Sequence, residues 1–346
     1  MKLKCLLLSV VFIFTCLFTG CGDNKAPHKV TGIYFDTVVE LTVFGEKVPE
    51  EALELCEKYD KLFSKTNPES EIHRLNQSHS LEVSDETLEL IKTALFFCEE
   101  GRGIFDITME PVIKLWDFSA ENPTLPDPKE VLYAANNKVD YRAVKIEGNR
   151  VTLEKEGGID LGGIAKGYIA DKIAELYREK GLSGIINLGG NIITVGEKTD
   201  GERFKVGVKK PFTDSDTVCT LEITQAAVAT SGVYERYFKL DGEIYHHLLN
   251  RKGWPENKSL QAVTVIHENA TTADALSTIL YLFNEYTTLL YLEEHPEVQA
   301  VFVYSDGEVK FSPGFKDFDR VKVRIENYKE LPKINHQAVP ETTVVH

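Results

Sequence analysis

Residues 160–171 read DLGGIAKGYIAD, a carboxylate, a glycine pair and a lysine at the mouth of a helix. Glycines let a backbone come close to a ligand, and the free N–H groups of a helix start favour anions, so this segment suits a pyrophosphate. The spacing predicts a helix from about Gly162, with Ile169, Ile173, Leu176 and Tyr177 on one side. It stops at Gly181 after Arg178 and Lys180. Lys166 falls in the first turn, where a cation opposes the helix dipole. A lysine there makes sense if an anion shares the space. The plainer alternative is that Gly162 and Gly163 serve close packing while Lys166 points into water.

A second segment, HENATTADALST at 267–278, places Asp274 and Thr278 four residues apart on another helix. Both oxygens then lie on one face, where a hard cation could sit. Thr271 and Asp274 also read as a capping box before an apolar run that includes Leu276, Ile279, Leu280 and Phe283. At roughly 100° per residue, Asp274 and Thr278 point almost opposite that stripe, so simple solvation competes with a ligand role. A cap, however, gives no task to Thr278, and Ala273, Ala275 and Ser277 leave room for another backbone. A phosphate segment plus an oxygen pair implies nucleotide chemistry with a divalent metal.

The amino terminus supplies an address. MKLK is basic, Cys5 to Phe18 is almost wholly apolar, and Thr19-Gly20-Cys21 closes the stretch. The run is too short and wrongly flanked to span a membrane, so residues 1–20 read as a secretory signal. Small residues before a cysteine resemble a lipoprotein signal, cut before Cys21 to leave that thiol lipidated. Phe18 departs from the usual leucine, and an ordinary secretory signal is the alternative. Residues 21–29 read as a lipidated tether. The expected location is the cell envelope, facing the extracytoplasmic side.

Loss of Lys2 and Lys4 with the signal takes the formal net charge from −15 to −17. So acidic a chain is a poor nucleic-acid binder and gains nothing from anionic lipid heads, so attachment would rest on acyl chains. Cys56, Cys98 and Cys219 are far apart in apolar surroundings and read as buried free thiols.

Strands and helices alternate without a regular βαβ rhythm. Val38 to Phe44 alternates as a half-buried strand, and residues 49–64 and 84–100 are helical, the latter capped by Ser84. Ala143 to Leu153 turns back at Gly148-Asn149, residues 184–239 are mostly short strands, and 298–304 pairs with 308–312. The expected class is α+β with mainly antiparallel sheets and packed helices, as one domain over 30–326. Residues 327–346 read as a frayed polar tail.

With these segments in view, the chain resembles the ApbE family of flavin transferases, which attach FMN covalently to a protein threonine with FAD as donor. The likeness rests on ordered blocks: TGIYFDTVVELTVFG at 31–45, GIFDIT at 103–108, DLGGIAKGYIAD, INLGGNI at 186–192, ATSGVYERYF at 229–238, HHLLNRKGWP at 246–255, and TTADALST. The resemblance implies an ApbE-like domain and an Mg²⁺-dependent transfer of FMN from FAD, with AMP released. It assigns Asp160 and Lys166 to FAD, and the Gly163 carbonyl, Asp274 and Thr278 to Mg²⁺. Phe105 and Asp106 would line the flavin or adenosine pocket together with Ile104 and Leu249. Phe35 stands where methionine is frequent in the family and Thr66 where a tyrosine can stand. His247 matches a histidine near the reaction centre, with a satisfied structural histidine as the alternative. Asn250 replaces the family's aspartate and the proline after it is missing, which puts acceptor recognition in question. Implied acceptors are flavoproteins such as subunits of membrane redox complexes. FAD hydrolysis to FMN and AMP, or flavin binding without turnover, would use the same residues.

Overall fold

The computed structural model describes residues 26–118, 120–198 and 201–332. The proposed signal and Cys21 lie outside them. The chain opens with a hairpin, β1 (Pro27–Tyr34) and β2 (Thr37–Phe44), whose turn residues Phe35 and Asp36 are both left-handed at φ 56°. Val39, Leu41 and Val43 of β2 face the core, as the alternation predicts. Next come α1 (Glu50–Phe63), α2 (Glu71–Ser78), β3 (Ser80–Glu82) and α3 (Asp85–Glu100). Ser84 caps α3 by accepting from the Thr87 N–H. The acid missing from its capping box is supplied by Glu71, which accepts from the Ser84 N–H at 3.1 Å.

A 3-10 turn at Ile107–Met109 runs into α4 (Glu110–Trp116), followed by α5 (Pro128–Asn137) and the hairpin β4 (Val144–Glu147) with β5 (Arg150–Leu153). Then α6 (Ala165–Glu179) leads into a run of strands: β6 (Ser183–Leu188), β7 (Asn191–Val195), β8 (Phe204–Lys209), β9 (Thr217–Ile223), β10 (Ala227–Gly232), β11 (Tyr237–Leu240), β12 (Glu243–His246) and β13 (Leu260–His267). The remainder is α7 (Ala270–Leu282), α8 (Glu285–Glu294), β14 (Gln299–Tyr304), β15 (Val309–Phe311) and β16 (Val321–Arg324).

Eight strands form one sheet in the order β1-β2-β6-β7-β10-β13-β14-β15, every neighbouring pair antiparallel. Three smaller sheets, β16-β9-β8, β3-β5-β4 and β11-β12, are antiparallel as well. The α+β expectation holds. The main core lies between the large sheet and α1, α3, α6 and α7. Gly167 allows α6 and α7 to meet backbone to backbone, since a Cβ there would sit 2.3 Å from the Ala270 carbonyl oxygen.

Three boundaries differ from the sequence reading. Pro27, His28 and Lys29 belong to β1, paired with Phe44, Val43 and Thr42, so the lead-in is shorter than a tether ending at 29. Helix α6 begins at Ala165, because Leu161 to Ile164 form a turn in which the Leu161 carbonyl accepts from the Ile164 and Ala165 N–H groups. The chain beyond Asn327 packs as far as it is described: Tyr328 stacks on Phe311 at 4.7 Å, and Leu331 is buried with its N–H on the Phe311 carbonyl. The three described cysteines are free and buried, as expected.

Candidate active site

The site grows from the crossing of α6 and α7. No side chain of its own neighbourhood caps α6. Asp274 of α7 does so from across the crossing, accepting the Gly167 N–H on Oδ2 at 2.9 Å. The positive end of the helix favours that carboxylate, which is only 4% exposed. Lys166 Nζ stands 3.7 Å from Oδ1, which accepts no hydrogen bond among the described residues.

The capping box expected at Thr271 and Asp274 is therefore not formed. Asn269 caps α7, accepting from the Thr272 N–H at 2.8 Å, and the Thr271 hydroxyl donates instead to Asp171 of α6 at 2.6 Å. Nor is Asp274 solvated, since α7 is buried almost all round.

Thr278 lies one turn beyond Asp274, its Oγ1 2.9 Å from Ser231 Oγ on β10. Gly163 is beside it: a Cβ there would be 3.9 Å from Thr278 Oγ1 and 2.9 Å from the Phe105 ring. Gly163 is thus a neighbour of Thr278, and Lys166 bridges from Asp274 to the Gly162 carbonyl beside it. Among the described residues no cluster of three or more His, Cys, Asp or Glu could hold a metal. One carboxylate with neutral oxygens fits Mg²⁺, which keeps waters and takes further oxygens from a substrate phosphate.

The glycine turn is lined by cations. Asp160 accepts the Gly162 N–H at 2.8 Å and the Lys65 ammonium at 2.5 Å, and Lys166 Nζ donates to the Gly162 carbonyl at 3.1 Å. Burial works against the Asp160 charge, but Lys65, the Gly162 N–H and nearby Arg236 together hold its carboxyl below the usual range. Nothing local in the sequence distinguishes Lys65 from its neighbour Thr66. Thr66 itself lies in the exposed loop after α1, its Oγ1 3.2 Å from Ser64 Oγ.

His247 follows β12. Its Nδ1 lies 3.2 Å from the Arg236 carbonyl, which can only accept, so Nδ1 carries the proton and Nε2 is left bare. Burial, then Arg236, pushes its pKa down to about 3, so the ring is neutral at physiological pH. Glu235 is a second titratable group here. The residue is exposed on the turn after β10, and the protein packed around its carboxyl pushes its pKa up to about 7, with Lys166 and Asp274 among its charged neighbours. ATSGVYERYF was legible as a block, but nothing in it singled out Glu235.

The flavin candidates are less uniform. Phe105 is buried against Gly163, and Ile104 packs on the main core. Asp106 spends its oxygens on the loop: Oδ1 accepts the Thr108 N–H and hydroxyl, and Oδ2 accepts the Tyr141 N–H at 3.0 Å. Phe35 donates its N–H to Asp60 at 2.9 Å and packs on the main core. Leu249 lies in a separate cluster with Trp116 and Phe238. Asn250 closes a turn, its Oδ1 accepting the Lys252 N–H at 2.9 Å and its own N–H reaching the Trp254 carbonyl. Arg251 ties this turn to GIFDIT through the Gly103 carbonyl at 3.1 Å.

The profile of the ApbE family matches residues 35–302, spanning the glycine turn, both crossing helices and His247. The chain belongs to the ApbE family. The FAD:protein FMN transferase of Treponema pallidum is 31% identical, over 93% of this chain and 98% of that protein. That of Klebsiella pneumoniae is 30% identical, over 84% and 93%. The crystal structure of the ApbE protein of Thermotoga maritima superposes with a TM-score of 0.78 at 31% identity, covering 85% of this chain and all of that one. Flavin transferase ApbE of Vibrio cholerae gives 0.74 at 25% identity, over 85% and 99%. As a member of the ApbE family the protein is an enzyme, a transferase.

Proposed function

We propose that this ApbE protein is an Mg²⁺-dependent FAD:protein FMN transferase. It moves FMN from FAD to a threonine hydroxyl of an acceptor flavoprotein, with AMP as the other product. What carries the reading is the crossing of α6 and α7. There one open carboxylate oxygen of Asp274 faces Lys166, whose ammonium also reaches the glycine turn, and Thr278 lies one helical turn further on beside Gly163.

Asp274, Thr278 and the Gly163 backbone would hold the metal, which when bound offsets phosphate charge and activates the phosphorus. Lys65, Lys166 and Arg236 supply positive charge at the glycine turn, where the pyrophosphate is best placed. The acceptor oxygen forms a bond to the FMN phosphorus as the pyrophosphate P–O bond breaks, and AMP takes the bonding electrons. The hydroxyl proton must leave. Neutral His247 can accept a hydrogen bond at Nε2, while Glu235 is the group that titrates near working pH.

The proposed setting is the outer face of a membrane, with Cys21 lipidated and acceptors among subunits of membrane redox complexes. The test is to mix the full chain lacking its signal with FAD, Mg²⁺ and an acceptor domain from the same genome. The expected result is a gain in acceptor mass equal to FMN on threonine, with one AMP per FMN. AMP without a mass gain would make the enzyme a pyrophosphatase. Tight FAD binding without AMP would leave a flavin carrier.

A further inference from the structure

Three hydroxyls link the candidate metal ligands. Ser277 Oγ lies 2.8 Å from the Asp274 carbonyl oxygen, Ser231 Oγ lies 2.7 Å from Ser277 Oγ, and Thr278 Oγ1 lies 2.9 Å from Ser231 Oγ. Ser277 is fully buried and Ser231 is 7% exposed, so water does not replace these partners.

The directions follow from counting protons. A carbonyl oxygen only accepts, so Ser277 spends its single proton on Asp274. Ser231 must then donate to Ser277, and its proton is spent as well. The contact between Ser231 and Thr278 closes only if Thr278 donates. The hydroxyl proton of Thr278 is thus drawn towards β10, and its lone pairs are left for another partner. A cation needs that polarity, because a hydroxyl ligates through a lone pair.

We propose that Ser231 is a positioning residue for the metal site, setting the rotamer and proton direction of Thr278 so that Oγ1 presents lone pairs to the divalent cation. The proposal rests on the metal reading above. Without the Ser231 acceptor, the Thr278 hydroxyl would turn to the carbonyl four residues back, as helical threonines commonly do, and move out of register with Asp274. Ser277 acts one step further away. Removing it leaves Ser231 able to accept, so its loss should cost less.

The experiment uses Mn²⁺ as a spectroscopic stand-in, titrated by electron paramagnetic resonance into the full chain lacking its signal, with ADP as the pyrophosphate ligand. Ser231→Ala is expected to weaken Mn²⁺ binding about tenfold or more, the usual range for groups that orient a metal ligand. Metal-free ADP binding and the thermal midpoint should stay near wild type. Ser231→Cys, which fills the same space with a poor acceptor, should weaken Mn²⁺ likewise, and Ser277→Ala less. Adding Ser231→Ala to Thr278→Val should cost no further affinity, since both act through one oxygen. Wild-type affinity in both Ser231 variants, or losses that simply add in the double variant, would overturn the proposal while leaving the metal reading intact. No Mn²⁺ binding by wild type would overturn both.

Discussion

Asp171 on α6 and Asp274 on α7 each cap the helix that carries the other. Asp171 accepts the Ala270 and Thr271 N–H groups at 2.8 Å, and Asp274 accepts the Gly167 N–H at 2.9 Å. The two acids differ in what is left over. Asp171 uses Oδ1 on one amide and Oδ2 on an amide and the Thr271 hydroxyl, while Asp274 keeps Oδ1 open towards Lys166.

The exchange predicts opposite phenotypes. Asp171→Ala strands buried donors and should cost about 2–3 kcal/mol of stability, with metal dependence unchanged in the folded fraction. Asp274→Ala should abolish metal-dependent FMN transfer at a cost of about 1 kcal/mol for its one backbone bond. Urea titration beside an FMN-transfer assay separates the two. An Asp274→Ala enzyme with full activity would reduce that residue to a cap.

Gly167→Ala forces a Cβ to within 2.3 Å of the Ala270 carbonyl oxygen, a backbone atom that cannot swing away. A loss of about 3 kcal/mol is expected. Gly163→Ala crowds the Phe105 ring at 2.9 Å and reaches Thr278 Oγ1 only at 3.9 Å, so it should be milder in stability but harmful to FAD binding. Thermal melts of the two variants check the order.

Lys65→Met should raise the KM for FAD more than it lowers kcat, because it removes the ammonium paired with the Asp160 carboxylate and leaves only the Gly162 N–H and Arg236 to offset that charge at the glycine turn. Adding Asp160→Asn removes that charge and should recover part of the loss. If the double variant is as poor as the product of the two single losses, the ion pair is irrelevant to FAD.

Glu235 gives a pH signature. Its folded pKa of about 7 lies above the ordinary 4.5, so its contribution to stability is complete below pH 4.5 and is lost as pH rises through about 7. Without ligands, Glu235→Gln should match wild type near pH 4.5 and melt higher above pH 7. A melting difference that is flat across that range would place Glu235 in ordinary solvent.

Labelling cells with a clickable fatty acid should tag the protein through Cys21, and Cys21→Ala should release it from membranes. Untagged wild type in the soluble fraction would refute the anchor.

The two decisive segments were legible because glycines, a first-turn lysine and a Thr four residues after an Asp are local patterns. What escaped was set by distant partners. The Thr271 box failed because Asn269 is an equally good cap two residues earlier and because Asp171, 100 residues away, claims the Thr271 hydroxyl. Lys65 could not be chosen without knowing that Asp160 folds against it. Counting faces misjudged Asp274, since that argument assumes one wet side and α7 has almost none. Asp106 is assigned by the resemblance of GIFDIT, and nothing in that block signals that the Tyr141 N–H, 35 residues on, reaches its Oδ2.

The mutual capping also bears on motion. The amide hydrogens of Gly167, Ala270 and Thr271 are each held by a carboxylate of the opposite helix, about a hundred residues along the chain. Fraying of either helix end alone cannot free them. Both ends must part together, and that opening also scatters the oxygens around Asp274. In deuterium these three protons should therefore exchange as one unit, at the pace of the slowest core amides, which makes them a clock for how often the floor of the candidate site comes apart.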